Sequence, residues 1–419
     1  MTTTEPLPRL LYLGDVPVES SYHGSALLYR LLQDYPPDKL LIIEGNLRNS
    51  LPERRLPAVS YAAVTVGWAR PLRTRFSHWA HLAYSFAAGG KVGAVERAMG
   101  DFQPEAVLTV AHEFLWLTAA RLARKNALPL HLICHDDWPS LAPLPSVFRR
   151  WLERKFANVY RQSSSRLCVS PYMAEEYERR YGVGGTVLYP SRGPQTPFFE
   201  AADANPVSGQ RPFTVAYAGN LVNPDYVRQL SLISRMLADL GGRLLLFGPF
   251  DDQMLRAAGM DMANVIAGGM LTSPELIGRL HRDADVLFLP MSFAASEQEI
   301  MALNFPSKLT DYTAAARPLL IWGPASCSAA QWAAKEPGVA AILSTSEPGT
   351  MAAMLKKLQE NPAWRRELAA QAVIIGKKYF GPTAANEVFL SSLTRSASVT
   401  NGQMTPGRGS TKDKVALTD

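Results

Sequence analysis

Residues 304–318 read NFPSKLTDYTAAARP and lie between two apolar runs, DVLFLP at 285–290 and LLIWG at 319–323. The two runs are continuous rather than alternating, as expected for strands covered on both faces, so the stretch between them reads as the crossover of a parallel sheet. Within it, SKLTDYTAAA looks like the first turns of a helix, with Ser307 as its cap. A helix start presents free backbone N–H groups and the positive end of a dipole, a natural seat for phosphate. The alternative is a helix that is merely well capped.

The same rhythm runs outward in both directions. The first half offers RLLYLG, KLLIIEG, EAVLTVA, LPLHLICH, SRLCVS and GTVLYP as strands, with GSALLYRLLQDY, WLTAARLARKN and VFRRWLERKFANVYRQ as helices between them. The second half offers FTVAYAG, GRLLLFGP, ANVIAGG, DVLFLP, PLLIWG and GVAAIL. Continuous apolar strands separated by amphipathic helices predict an α/β fold with parallel sheets covered on both faces. Around 190–212 the pattern gives way to Pro, Gly and polar residues, the composition of a linker. The expected organisation is two doubly wound Rossmann-like domains facing each other across a cleft: one at 1–195, a linker at 196–212 and a second at 213–394. A polar, aperiodic tail at 395–419 is expected to be disordered. Ligands should sit between the domains, at the C-terminal ends of the strands.

Composition bounds the class. With 47% hydrophobic and 19% charged residues, the 419-residue chain is an ordinary globular protein. Cys134, Cys168 and Cys327 form neither a disulfide framework nor a metal-ligand spacing. The first residues lack the pattern of a signal peptide, and no apolar run reaches membrane-spanning length, so a cytoplasmic protein is expected. The formal charge of +6 is uneven: residues 1–200 carry +5 and the remainder +1. Arg149, Arg150, Arg154 and Lys155 cluster with Arg161 and Arg166, interleaved with Phe148 and Trp151. Such a helix suits an anionic membrane surface, or is a solvated face with its apolar stripe in the core. Nucleic acid is not expected as a partner.

Several strand ends carry polar or glycine residues: His23-Gly24, Ala111-His112-Glu113, His135-Asp136-Asp137, Gly219-Asn220 and Gly248-Pro249. No HExxH, GxSxG, Walker or strict GxGxxG sequence is present, so no metal site and no dinucleotide fingerprint is expected.

The order of these motifs resembles the retaining glycosyltransferases of family 4, built on the two-Rossmann (GT-B) architecture. NFPSKLTDYTAAARPLL is similar to that family's PSKLxEYxAxGKPVI segment. ANVIAGGMLTSPELIGRLHRDADVLFLP resembles the helix and strand that precede its donor site. SSSRLCVSPYMAEEYERRYGV and AHEFLWLTAARLARKNALPLHLICHD resemble segments of its N-terminal domain. The resemblance covers about residues 9–390. It implies a donor seat formed by Gly24, Gly219, Asn220, Ser307, Lys308, Leu309 and Asp311. Lys308 meets the diphosphate, Asp311 the ribose, and Gly24 lets backbone approach the phosphates. It implies His112 and Glu113 as the catalytic pair at the sugar, and His135 and Asp136 on the acceptor side. Each has a plainer alternative: a solvated lysine, a dipole-favoured acid, a loop histidine, a strand-end cap. Two departures stand out. Where the family's E-x7-E pattern has its first acid, this chain has Leu303, with Glu297 and Glu299 nearby. No Lys follows Gly219-Asn220 at the customary spacing, where Asp225 and Arg228 stand instead.

The implied activity moves a hexose from a UDP- or GDP-hexose donor, with no tightly bound cofactor, to a saccharide or lipid-linked acceptor in surface polysaccharide or glycoconjugate biosynthesis. The alternatives are a sugar-nucleotide epimerase on the same fold, and a non-catalytic nucleotide-sugar-binding protein or partner subunit.

Overall fold

The computed structural model describes residues 6–20, 23–200 and 211–401. The first domain holds a seven-stranded parallel sheet: β1 Leu10–Gly14, β2 Leu40–Gly45, β3 Ser60–Val64, β4 Ala106–Val110, β5 Leu130–Cys134, β6 Ser165–Cys168 and β7 Thr186–Val187, in the order β3-β2-β1-β4-β5-β6-β7. The second holds a six-stranded one: β8 Thr214–Ala218, β9 Arg243–Phe247, β10 Val265–Gly269, β11 Val286–Pro290, β12 Leu319–Trp322 and β13 Ala340–Leu343, in the order β10-β9-β8-β11-β12-β13. Every registered pair is parallel. All twelve strand candidates are strands. The one overlooked, β3, is an edge strand, SYAAV, whose partly exposed residues leave no continuous apolar run.

Central strands such as β1, β4 and β5 are buried along their whole length, which is why they read as unbroken Leu, Ile and Val. Strand order reverses beside β1 in one sheet and beside β8 in the other, so each domain opens a crevice at the carboxyl ends of those strands.

The chain crosses between domains twice, which the expected boundary at 213–394 does not contain. The helix Pro362–Phe380 packs against β12 and β13, and Gly381-Pro382 breaks it. The following helix, Pro382–Asn401, returns to the first domain, where Ala385, Phe389 and Leu393 join Leu27, Leu28 and Leu31 in one core. Of the expected linker, 201–210 lie outside the described residues. Of the expected disordered tail, 395–401 continue this helix and 402–419 lie outside the described residues. No described helix is long and apolar enough to cross a membrane.

Candidate active site

The loops after β8 and β9 and the helix Lys308–Tyr312 surround a cavity of about 450 Å³, closed from the first domain by Ala26, Leu27 and Arg30. Two glycines allow the loops to stack so closely. A Cβ on Gly248 would lie 2.0 Å from the Gly219 carbonyl, and one on Gly219 would lie 2.5 Å from Lys308 Cε. Lys308 therefore enters over the Tyr217 ring, its Nζ 5.6 Å from the centroid. Burial pushes its ammonium down to about 8. Asp311, one turn further, accepts from Ser273 Oγ at 3.0 Å. Burial raises its carboxyl, opposed by the charges of Arg30 and Arg192. Arg192 is held by Thr310 O at 2.8 Å, Thr313 Oγ1 at 3.1 Å and Gly376 O at 2.8 Å.

Gly219, Asn220, Ser307, Lys308 and Asp311 all line this cavity, as expected of a donor seat, whereas Gly24 and Leu309 do not. Gly24 lies against His135, whose Nδ1 a Cβ would meet at 3.1 Å. Leu309 is fully buried in the core. The helix is also shorter than expected, and Ser307 does not cap it. The N–H groups of Leu309 and Thr310 bond back to Pro306 O (3.2 Å) and Ser307 O (3.1 Å), so they are not free for a phosphate. The chain turns away through buried Ala314–Ala316, with Ala316 at φ 50°, which ends the helix.

Across the cleft, Ala111-His112-Glu113 follows β4. Glu113 adopts φ 50°, a left-handed backbone that a non-glycine residue holds only when its surroundings impose it. Asp15, at the end of β1, imposes it: its Oδ2 accepts from the N–H groups of Phe114 (2.8 Å) and Leu115 (2.6 Å), capping the helix Leu115–Lys125. The Glu113 carboxylate then faces Arg48 at 3.7 Å, His81 Nε2 at 3.6 Å and His112 Nε2 at 3.9 Å. Burial raises the Glu113 carboxyl, against the pull of His81 and Arg48. The His112 ring packs on Trp138, centroids 4.5 Å apart. Burial, with the charges of Arg48 and His135, pushes it down to about 4. At neutral pH it is an uncharged imidazole that accepts or donates a hydrogen bond. Asp15 and Arg48 are not singled out by the sequence, and His81 reads from it as a structural histidine. Asp15 follows a strand directly, a signal that points to it; only the fold brings Arg48 and His81 to Glu113.

The His135-Asp136-Asp137 loop is a fastener between domains more than an open acceptor seat. Asn304 of the second domain donates to Asp136 Oδ1 at 2.9 Å and accepts from Asp137 N at 3.0 Å. Asp137 is fully buried among Tyr177, Ser140 and Arg180, and Arg180 reaches on to Glu299. His135 is buried with Nε2 unpartnered. Leu303, at the position of the missing acid, is buried, and its carbonyl accepts from Ser170 Oγ at 3.0 Å. Glu297 accepts from Asn223 at 2.8 Å, so neither nearby acid replaces it in the cavity. Asp225 and Arg228 pair with each other, and Asp225 also accepts from Phe293 N at 2.7 Å. Among the described residues no cluster of three or more His, Cys, Asp or Glu is placed to hold a metal.

Residues 50–192 match the family model described as Glycosyltransferase Family 4. A search of the curated proteins gives no significant match. Among solved structures, Anabaena HepE in complex with UDP and glucose is 14% identical with a TM-score of 0.65, covering 92% of this chain and 99% of that one. Sucrose-phosphate synthase from Thermosynechococcus elongatus is 14% identical with a TM-score of 0.67, covering 93% and 99%. The α,α-trehalose 6-phosphate synthase from Burkholderia multivorans is 14% identical with a TM-score of 0.66, covering 96% and 100%. The chain has the fold of the GT-B glycosyltransferases.

Proposed function

We propose that the protein is a retaining hexosyltransferase that takes a UDP- or GDP-hexose as donor. The observation that carries this reading is the cavity itself: a lysine whose ammonium is pushed down and a half-buried aspartate one turn apart line it, while His112 and Glu113 follow β4 in the other domain, outside that lining. Anabaena HepE, of the same fold, has been solved in complex with UDP-glucose. In this reading Lys308 offsets the charge that develops on the leaving diphosphate, Asp311 takes the ribose hydroxyls, and His112 hydrogen-bonds the sugar. Glu113 orients His112 and shares in the chemistry at the anomeric carbon.

The acceptor is a saccharide or a lipid-linked sugar, in surface polysaccharide or glycoconjugate biosynthesis, met at the inner face of a membrane. Two features support the membrane. No Asp or Glu occurs between Glu53 and Glu96, while that stretch holds Arg54, Arg55, Arg70, Arg73, Arg75 and Lys91. Trp68 (78%), Phe76 (57%), Trp79 (58%) and Phe86 (53%) are exposed there. Trp79 and Phe86 pack edge-on against the half-buried Phe148, and Phe86 lies tilted against Trp151, both on the helix Ser146–Gln162, which carries the exposed Arg149, Arg150, Arg154 and Lys155. An aromatic face ringed by arginines suits an anionic interface.

A second reading, a nucleotide-sugar-binding subunit without transfer activity, is favoured by one observation: Leu303 and the segment around it are fastened to the first domain instead of lining the cavity. Incubation with labelled UDP- and GDP-hexoses separates the two. Transfer, or slow hydrolysis without acceptor, is expected. Binding without either establishes the second reading, and release of an epimer overturns both.

A further inference from the structure

The donor cavity is lined by two cations, Arg30 and Lys308, and one acid, Asp311. Arg30 comes from the helix His23–Leu32, so it reaches the cavity from the domain opposite Lys308. Its surroundings do not use it up. Of the five N–H donors of a guanidinium, one is engaged among the described residues, by Nη1 on the Ser191 carbonyl, where the chain leaves the first domain. Arg192, the other arginine that balances Asp311, is spent on three protein oxygens and does not line the cavity. Burial lowers the Arg30 guanidinium, with Asp311 opposing. The Lys308 ammonium faces only the Tyr217 ring among its described contacts. Two half-buried cations beside a single acid leave the cavity with a net positive charge, which a bound anion offsets.

No second cation lines the cavity from the loop after Gly219-Asn220 in the second domain. Asp225 stands there, bonded to Phe293 N, Gln229 and Arg228, and Arg228 is turned onto Asp225. We propose that Arg30 supplies the second cation of the donor diphosphate seat from the opposite domain, so that the diphosphate is clasped between Arg30 and Lys308 and draws the two domains together. The proposal rests on the nucleotide-sugar reading of the same cavity. A planar guanidinium suits bidentate capture of phosphate oxygens, whereas the lysine acts as a point charge. Nucleosides, lacking the phosphates, gain nothing from Arg30.

The test is calorimetry on the full chain with UDP, GDP, uridine and inorganic pyrophosphate, for wild type, Arg30→Gln and Arg30→Lys. Arg30→Gln should weaken UDP and pyrophosphate by about tenfold or more, while uridine changes by less than about twofold. Arg30→Lys should recover part of the loss, and it carries the test alone if the glutamine variant does not fold. Equal weakening of UDP and uridine makes Arg30 a strut for the Ser191 turn and overturns the proposal, as does unchanged UDP binding in both variants. Arg30-dependent pyrophosphate binding without affinity for UDP or GDP upholds the anion clasp and removes the nucleotide-sugar reading instead.

Discussion

Lys308 and Asp311 sit on the same short helix, and the proposed function gives them different parts of a ligand. Lys308→Ala should weaken UDP by roughly 1.5–3 kcal/mol, the range for a hydrogen bond to a charged group, with little effect on uridine. Asp311→Ala should weaken uridine and UDP alike, because the ribose is common to both. Calorimetry that leaves UDP and GDP binding unchanged in both variants would remove the donor-seat assignment. The proposed function places His112 at the reacting sugar. His112→Ala should keep nucleotide affinity nearly intact while turnover falls by a factor of about 10² or more. Because burial holds His112 at about 4, no limb of the pH–rate profile near neutrality should belong to it. A variant that loses binding and turnover in equal measure argues for a nucleotide contact instead.

At the scale of the element, the loop before the helix Leu115–Lys125 depends on Asp15. Its carboxyl is pushed up to about 7, first by burial and also by Glu113, although the Phe114 and Leu115 amides oppose the shift. The unfolded value is about 3.9, so between the two the folded chain holds more protons. The Asp15 contribution to stability is therefore complete below about pH 4 and is lost as the pH climbs to 7. Asp15→Asn cannot ionise. Its melting temperature relative to wild type should rise from pH 5 to about pH 8, and a difference flat across that range would contradict the burial argument. The Asn304 fastener makes a second prediction. Asn304→Ala removes the partner of a buried carboxylate and should cost about 1–3 kcal/mol in denaturant unfolding. Hydrogen exchange should speed up at the amide of Asp137, which donates to Asn304. Unchanged exchange there would mean that the domains are held together elsewhere.

For the whole molecule, the charge asymmetry and the aromatic face lie on the same domain as His112 and Glu113. Each Lys or Arg near an anionic bilayer contributes about 1 kcal/mol, so attachment should be reversible and should weaken as salt rises. Co-sedimentation with anionic vesicles should fall for Arg149/Arg150/Arg154/Lys155→Ser. It should fall further when Trp79 and Phe86 are also changed to Ser. Equal partitioning of all three proteins would leave the face without a membrane role and point to a soluble acceptor.

The alternation of unbroken apolar strands and amphipathic helices determined, from the sequence alone, the two parallel sheets and which loops stand at their carboxyl ends. That information is local: a strand buried on both faces must be apolar along its length, whatever its neighbours are. For the same reason Gly219 and His112 were legible as candidates at strand ends, and Lys308 and Asp311 at a helix start. What pairs with them was not. Arg30, Ser273 and Ser191 approach the donor helix from distant parts of the chain, and Arg48 and His81 approach Glu113 in the same way. The tertiary structure alone decided that Leu309 faces the core, that Asp136 is bound to Asn304, and that the last helix crosses back to the first domain. A side chain's burial and its charge partners are set by what packs against it, and packing joins residues whose separation along the chain leaves no periodic trace.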